Sequence, residues 1–303
     1  MENHRSGFIS IVGRPNVGKS TLMNRLVGSV VSITSHKPQT TRNRVLGVLT
    51  RPEAQLVFVD TPGIHQPKSA LGEMMVKEAR SAFGDADVLV LMISADDGLT
   101  TADCEIINHR IHKKTQKNPV YLVINKSDAV NKTDILGITQ KANELFSFDE
   151  TVPISAKRGD NTDVLLDLIE KALPAGPRFF PPEYITDQPE RVMWGEFIRA
   201  RALLHLRDEV PHGVAVEILS GAKRPDRDLF DIEATIYCEK PTHKGIIIGR
   251  GGEMMKRIGA ESRHDLERLI GMPVNLNLWV KVKKDWRDNQ FLARTLGGFN
   301  MEK

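Results

Sequence analysis

The sequence has little of what marks secreted, membrane-spanning or disordered proteins. It contains two cysteines in 303 residues, Cys104 and Cys238, which lie far apart and lack metal-ligand spacing. They predict a reducing compartment and no disulfide framework. Apolar runs such as 87–93 are strand-sized, whereas a membrane helix needs about 20 residues. The first residues show no signal peptide, so we expect a cytoplasmic protein.

The net charge of the chain is also small. Lys and Arg number 42 and Asp and Glu 39, which leaves +3. This balance excludes a uniformly basic surface but not a local basic face. Hydrophobic residues make up 40% of the chain, which is enough for packed cores and too much for a disordered chain. The length predicts about two domains.

The first half of the chain alternates compact apolar runs with helix-length segments. We predict strands at 8–12, 56–59, 88–93 and 120–124, and helices at 19–27, 70–83, 101–115, 134–146 and 162–173. Residues 44–50 are expected to form a hairpin with the second of these strands. The alternation predicts an α/β domain over residues 1–173 with a mixed, mostly parallel sheet.

A proline-rich stretch ends this pattern and predicts a linker at 174–189. Beyond it, the sequence predicts an α+β domain over residues 190–303. The expected order is a helix at 190–207, strands at 213–219 and 231–238, a short helix, a glycine-rich turn at 249–252, a helix at 253–269 and a strand at 274–282.

A glycine-rich loop joins the first predicted strand to the first predicted helix. It matches the phosphate-loop pattern Gly-x4-Gly-Lys-Ser/Thr in the strand-loop-helix context that this pattern requires. Its backbone N–H groups and the positive end of the helix suit phosphate oxygens. Lys19 is expected to reach the β- and γ-phosphates, and Ser20 to bind Mg2+. The nucleotide-binding residues predicted here are Gly13, Arg14, Pro15, Asn16, Val17, Gly18, Lys19, Ser20 and Thr21.

Three more motifs follow, each at the carboxyl end of a strand, where ligands bind on open α/β sheets. Asp60 is expected to hold Mg2+ through water, and the Gly63 N–H to face a γ-phosphate. The Asp128 carboxylate can accept two hydrogen bonds from guanine, a donor pair that adenine lacks. The Ala156 N–H can meet the guanine oxygen. The predicted residues are Asp60, Thr61, Pro62, Gly63 and Ile64, then Asn125, Lys126, Ser127 and Asp128, then Ser155, Ala156 and Lys157.

Together these motifs resemble those of the translation-factor-related class of small GTPases, over roughly residues 7–173. The resemblance implies GTP hydrolysis, with Lys19, Thr41, Asp60 and Gly63 as the catalytic set and Thr41 as a Mg2+ ligand when GTP is bound. Ile64 stands where Ras-like enzymes carry a water-orienting Gln, so we expect hydrolysis to be slow or to use other groups.

Asn16, in the phosphate loop, resembles the residue that coordinates K+ in potassium-activated GTPases. We therefore expect K+ to supply positive charge where an arginine finger otherwise would. The alternative is that Asn16 is an ordinary turn residue.

The glycine-rich turn of the second half reads Gly249-Arg250-Gly251-Gly252. A turn of this kind between helices can press its backbone against nucleotide phosphates, as in KH domains, although helix caps also use glycine pairs. Residues 240–287 hold 11 Lys or Arg against 5 Asp or Glu, a local excess typical of nucleic-acid binding. The predicted RNA-binding residues are the four of the turn with Lys244, Lys256, Arg257, Lys281, Lys283 and Lys284.

The predicted order of helix, two strands, short helix, glycine-rich turn, helix and strand resembles the type II KH arrangement over about residues 190–283. A P-loop GTPase domain followed by such a domain makes nearly the whole chain resemble the Era-type bacterial GTPases. The resemblance implies GTP, GDP and Mg2+ as ligands, and binding to the 3′ end of small-subunit (16S) ribosomal RNA. It also implies a role in small-subunit assembly, nucleotide-gated RNA affinity and peripheral contact with the inner membrane, and we infer no stable protein partner. Two alternatives stay open: a membrane-surface GTPase whose basic face binds anionic lipid, and a nucleotide-switched binding module whose turnover is incidental.

Overall fold

Two units make up the chain. The structure, a computed structural model, describes residues 4–34, 41–62, 69–81, 86–111 and 118–299. One unit holds the described residues up to 187 except 69–74, and the other holds 69–74 and 188–299.

A six-stranded sheet forms the centre of the first unit. Its strands are β1 (Arg5–Val12), β2 (Val45–Thr50), β3 (Ala54–Asp60), β4 (Val88–Ser94), β5 (Val120–Asn125) and β6 (Glu150–Pro153), in the order β2-β3-β1-β4-β5-β6. The β2–β3 pairing is antiparallel, and the other four pairings of this sheet are parallel. The predicted mixed, mostly parallel sheet is confirmed, and the predicted hairpin supplies its antiparallel edge.

Helices cover both faces of β4, whereas β3 has a helix on one face and Phe180 and Tyr184 of the proline-rich segment on the other. Both strands are therefore buried at every position and have continuous apolar runs. The helices in this part of the chain are α1 (Lys19–Val27), α2 (Ala70–Ser81), α3 (Thr101–Ile106), α4 (Lys132–Leu145) and α5 (Thr162–Ala172). Of these, α1 and α5 pack on one face of the sheet, and α3 and α4 pack on the other. The helix predicted over 101–115 begins at Thr101, and after Ile106 it continues as a π-helical turn at Ile107–Ile111. The wider repeat of that turn keeps Ile106 and Ile111 on one buried side. Residues 112–115 of this prediction, and 82–83 of the preceding one, lie outside the described residues.

The proline-rich segment is hydrogen-bonded to the first unit. The buried carboxamide of Gln55 donates to the carbonyl of Phe180 (2.8 Å) and accepts from the N–H groups of Phe179 (2.8 Å) and Phe180 (2.9 Å). The Val48 N–H of β2 donates to the carbonyl of Ile185 (2.8 Å). The exposed backbone of the edge strand β2 thus finds partners in this segment. The linker boundaries, 174 and 189, stay a prediction.

The second unit is an α+β structure around a three-stranded sheet. Its elements are α6 (Glu190–His205), β7 (Ala215–Lys223), β8 (Phe230–Cys238), α7 (Pro241–Ile248), α8 (Glu253–Ile270), β9 (Val274–Val282) and α9 (Gln290–Leu296). Strand β8 pairs antiparallel with β7 and parallel with β9. The predicted order of elements is confirmed, although β7 begins at 215 because Pro211–Gly213 form a 3-10 turn. Within the described ranges, no helix combines the length and the apolar character that crossing a bilayer requires.

Candidate nucleotide-binding site and RNA interface

The loop between β1 and α1 needs glycine at two positions. Gly13 and Gly18 have φ angles of 154° and 104°, which L-residues with side chains rarely adopt. A Cβ on Gly13 would lie 2.3 Å from the carbonyl oxygen of Met92, and one on Gly18 would lie 2.2 Å from Nδ2 of Asn125. The backbone therefore packs too closely against β4 and β5 for any side chain at either position.

Lys19 lies inside this loop, with 7% of its surface exposed. Its Nζ donates to the carbonyls of Gly13 (3.1 Å) and Arg14 (3.0 Å). Burial lowers the pKa of this lysine to about 8, with Asp60 opposing and Arg14 reinforcing the shift. An ammonium group of this kind is poorly solvated, so it should interact strongly with anionic phosphate oxygens.

Asp60 brings the three predicted Mg2+ residues together at the end of β3. Its Oδ2 accepts a hydrogen bond from the Ser20 hydroxyl (2.7 Å), and the hydroxyl oxygens of Ser20 and Thr41 lie 3.0 Å apart. Asp60 is fully buried, and burial raises the pKa of its carboxyl group, although Lys19 and the hydroxyl donors act against the shift. Its Oδ1 is buried and has no partner among the described residues. An oxygen-rich set with one unsatisfied carboxylate oxygen fits Mg2+.

Ser32 was not identified from the sequence, yet its hydroxyl also donates to Oδ2 of Asp60 (3.0 Å). Asn24 holds this serine: its Oδ1 accepts from the N–H groups of Val31 and Ser32 (3.0 Å each), and its Nδ2 donates to the carbonyl of Ser32 (2.7 Å). A serine outside any motif carries no sequence signal. Only the tertiary contact assigns it to the site.

Asn125 connects the phosphate loop to the motif at 155–157. It is 3% exposed, its Nδ2 donates to the carbonyl of Val17 (2.7 Å), and its Oδ1 accepts from the Ala156 N–H (2.9 Å). In this structure the Ala156 N–H therefore faces Asn125, and its contact with a guanine oxygen stays a prediction. Arg25 of α1 supports the same loop by donating to the carbonyls of Ala156 (3.3 Å) and Lys157 (2.5 Å).

Asp128 is exposed at the rim of this loop. A hydrogen bond from the Ser155 side chain lowers the pKa of its carboxyl group, so the group is ionised at neutral pH and able to accept two hydrogen bonds. Lys126, the neighbouring motif residue, has a left-handed φ of 62°. The described parts of all four nucleotide motifs therefore converge at the carboxyl edge of the sheet. Gly63 and Ile64 lie outside the described residues.

The remaining predicted nucleotide residues sit on the same loops. Thr61 is buried and its hydroxyl donates to the carbonyl of Ile11 (3.2 Å), which fixes the chain just after Asp60. Asn16 is exposed with a φ of 66°. The side chain of Arg14 turns toward acidic residues beyond β4 and forms ion pairs there.

The glycine-rich turn joins α7 to α8. Gly249, Gly251 and Gly252 have φ angles of 75°, 60° and 81°. A Cβ on Gly249 would lie 2.7 Å from Cβ of Met254, whereas nothing lies within 4 Å of a Cβ built on Gly251 or Gly252. The backbone at 251–252 is therefore open to a ligand that approaches closely.

The predicted basic residues around this turn are exposed: Lys244, Arg250, Lys256, Arg257, Lys281, Lys283 and Lys284. Arg257 donates to Glu261 at 3.4 Å. The others form no ion pair with a carboxylate within the described part of the chain. Exposed cations beside an accessible backbone turn suit the phosphates of a nucleic acid.

Both halves of the chain are similar to known proteins. A family model described as "50S ribosome-binding GTPase" matches residues 8–126, and a KH domain model matches residues 209–287. GTPase Era of Clostridium botulinum is 48% identical over 293 residues, which cover 97% of this chain and 98% of the relative. GTPase Era of Clostridioides difficile is 48% identical over 294 residues, with the same coverage.

Solved structures agree. An Era structure in complex with MgGDPNP and nucleotides 1506–1542 of 16S ribosomal RNA matches with a TM-score of 0.93 and 42% identity, covering 97% of this chain and 99% of that one. A variant of Aquifex aeolicus Era bound to GDP·AlF4− matches with a TM-score of 0.92 and 41% identity, with the same coverage. Similarity at this level, over nearly the full length of both chains, shows that this chain belongs to the Era family of GTPases.

Proposed function

We propose that this protein binds the 3′ region of small-subunit ribosomal RNA through the glycine-rich turn at 249–252, here called the KH turn. By this contact it assists assembly of the small ribosomal subunit in the cytoplasm. As an Era-family member it is a GTPase that uses GTP and Mg2+, and we propose that the bound nucleotide sets its RNA affinity. The observation that carries the proposal is the similarity, along 97% of the chain, to an Era protein solved with both MgGDPNP and 16S ribosomal RNA.

The geometry of the KH turn supports an RNA contact. Nucleotide phosphates can approach backbone N–H groups only where no side chain intervenes. Gly251 and Gly252 provide that opening, and Lys244, Arg250 and Lys256 place exposed positive charge around it. Such contacts hold the phosphate backbone, whereas base edges in an unpaired strand would supply the sequence preference.

A paired substitution tests this contact. Replacing Gly251 and Gly252 by Asp should weaken binding of a labelled 16S 3′-end RNA at least about tenfold, because two carboxylates would face the phosphates. GDP affinity should be unchanged. The matched control is Gly271→Asp, which also adds a carboxylate at a left-handed glycine (φ +77°) with open space around it. Unchanged RNA affinity in the double variant would contradict the assignment.

Fluorescence anisotropy of the same labelled RNA tests whether the bound nucleotide sets the RNA affinity. We expect the wild-type protein to bind the RNA with different affinity when loaded with GDP or with a non-hydrolysable GTP analogue. Equal affinities would contradict gating while leaving the RNA contact intact.

For hydrolysis, we propose that Lys19 binds the β- and γ-phosphates and that Ser20, Thr41 and Asp60 hold Mg2+. Bound Mg2+ neutralises charge on the transferring phosphoryl group. Water takes up the phosphoryl group to give GDP and phosphate, with no covalent enzyme intermediate. Lys19→Ala should abolish tight GTP binding, and wild-type affinity would refute this site. The roles of Gly63 and Ile64 stay predictions.

We also propose K+ as an activator bound with the help of Asn16. This residue lies in the phosphate loop with a left-handed backbone conformation, and its side chain is exposed. Hydrolysis should be faster in K+ than in Na+ at equal ionic strength, and Asn16→Ala should remove the difference. Equal rates in the two salts would leave Asn16 as a turn residue.

Two remaining expectations have direct assays. Peripheral contact with the inner membrane stays a prediction, and co-flotation of the protein with anionic lipid vesicles tests it. Single-turnover hydrolysis measured with and without RNA decides whether turnover is coupled to RNA binding or incidental to it.

A further inference from the structure

Three carboxylates after β4 contact the nucleotide loops. We refer to Asp96, Asp97 and Asp103 as the acidic brace. Asp97 forms an ion pair with the Arg14 guanidinium, and Oδ2 of Asp103 lies 3.3 Å from Nε of the same arginine. The Arg14 side chain is 17% exposed, so most of its surface is packed. The phosphate loop is thereby tied to the start of α3.

Asp103 is a rigid anchor for this contact. It is fully buried and forms a capping box with Thr100 at the start of α3. Its Oδ2 accepts from the Thr100 hydroxyl (2.7 Å) and the Thr100 N–H (3.0 Å), and its own N–H donates to the Thr100 hydroxyl (3.3 Å). Because these bonds fix the carboxylate, the arginine takes its position from the helix and not the reverse.

The contact passes directly to the lysine of the phosphate loop. The main-chain carbonyl of Arg14 accepts one of the two hydrogen bonds from Lys19 Nζ (3.0 Å). Holding the Arg14 side chain therefore also holds the carbonyl that orients the Lys19 ammonium group. A misplacement of this group would weaken its interaction with the γ-phosphate in the transition state.

Asp96 makes the corresponding contact with the motif at 125–128, which we call the base-recognition motif because its Asp128 is predicted to bind guanine. Oδ2 of Asp96 accepts from Lys126 Nζ (2.9 Å), and its Oδ1 accepts from the Ser94 hydroxyl. The Ala95 N–H donates to the carbonyl of Asn125 (2.8 Å). One short turn thus contacts both the phosphate loop and the motif that reads the base.

We propose that the acidic brace positions the two nucleotide loops of this GTPase: Asp97 and Asp103 align the phosphate loop through Arg14, and Asp96 aligns the base-recognition motif through Lys126. The brace lies close to a site for a polyanion, where carboxylates are electrostatically unfavourable. If these carboxylates did not position the loops, replacing one by a neutral side chain would tighten nucleotide binding, because a repulsive charge would be lost. A positioning role predicts the opposite sign.

The sign of the effect is the test. Asp97→Asn and Asp96→Asn should each weaken GDP and GTP binding about two- to fivefold, the range for losing one partly exposed ion pair. Asp97→Glu, which keeps the carboxylate, should recover part of the loss. The control is Glu105→Gln, which neutralises an exposed carboxylate on α3 that forms no ion pair with another described residue. It should leave affinity unchanged or slightly tighter.

Steady-state kinetics separate the two arms of the brace. Asp97→Asn should raise KM and lower kcat, because Lys19 contacts the reacting phosphate. Asp96→Asn should raise KM with kcat nearly unchanged, because Lys126 belongs to the base motif. Thermal unfolding of each nucleotide-free variant checks that the fold is intact. Affinities that stay at the wild-type value or tighten, as in the Glu105→Gln control, would overturn the proposal.

Discussion

The protonation of Lys19 gives the sharpest quantitative prediction. In the free protein this lysine is 7% exposed, and its acceptors among the described residues are two carbonyl oxygens. Burial, countered by Asp60 and reinforced by Arg14, lowers its pKa from 10.5 to about 8. Anionic phosphates favour the charged form and should return the pKa toward its ordinary value. Binding should therefore take up a proton.

The sign and size follow from linkage. Well below pH 8 the lysine is charged in the free protein as well as in the complex, and nucleotide affinity is at its maximum. As pH rises through 8 the free protein loses the proton that the complex retains, so affinity falls, approaching tenfold per pH unit. Between pH 7.0 and 8.5 the Kd for GDP should rise about fourfold for a free pKa of about 8.

Isothermal titration calorimetry measures this directly. Titrations with Mg2+ and GDP at pH 8 in two buffers of different ionisation enthalpy should show uptake of about half a proton per nucleotide. Cys104→Ser is the control, because it changes a side chain of α3 outside the nucleotide motifs and should leave the pH dependence in place. A Kd independent of pH from 7.0 to 8.5, with no proton uptake, would refute the burial argument.

Three glycine predictions are tested, two by urea denaturation and one by GDP titration. Gly195→Ala should stabilise the second unit by about 0.5–1 kcal/mol, because the position is inside α6 and a Cβ there would make only ordinary contacts, the nearest at 3.5 Å. Gly221→Ala should instead destabilise it by about 1–3 kcal/mol, because its Cβ would lie 2.3 Å from the Trp194 ring; equal midpoints for both would contradict this packing. Gly18→Ala should raise the Kd for GDP at least about tenfold through backbone strain and a clash with Asn125, and wild-type affinity would show that the loop can relax.

Short-range pattern explains what the sequence predicts well. The phosphate loop needs two glycines at fixed spacing between a strand and a helix, and the structure shows a steric reason at Gly13 and at Gly18. Asp60 follows a continuous apolar run, so its place at the end of a buried strand is a local property. The order of elements around the KH turn is local in the same sense, since each helix or strand carries its own periodicity.

Long-range polar contacts explain what the sequence leaves out. Ser32 reaches Asp60 across 28 positions, and Arg14 reaches Asp103 across 89. Ser32 and Asp103 lie outside the nucleotide motifs, and serine and aspartate are common in loops, so nothing assigns these two residues to the site before the chain is folded. The π-helical turn after α3, which holds the buried Ile107 and Ile111, has no sequence signal of its own either.

The two halves of the chain use charge in opposite ways, and this is why a net charge of +3 predicts neither activity. Lys19 and Asp60 are buried, and burial shifts their pKa values in opposite directions, each toward the neutral form. Their interaction with a nucleotide depends on geometry and is weakly screened by salt. Lys244, Arg250 and Lys256 are exposed, so phosphate contacts there release counterions and weaken steeply as salt rises. Nucleotide binding therefore depends on where two charged side chains are buried, and RNA binding depends on several cations being exposed on one surface. Neither property can be read from the net charge of the chain.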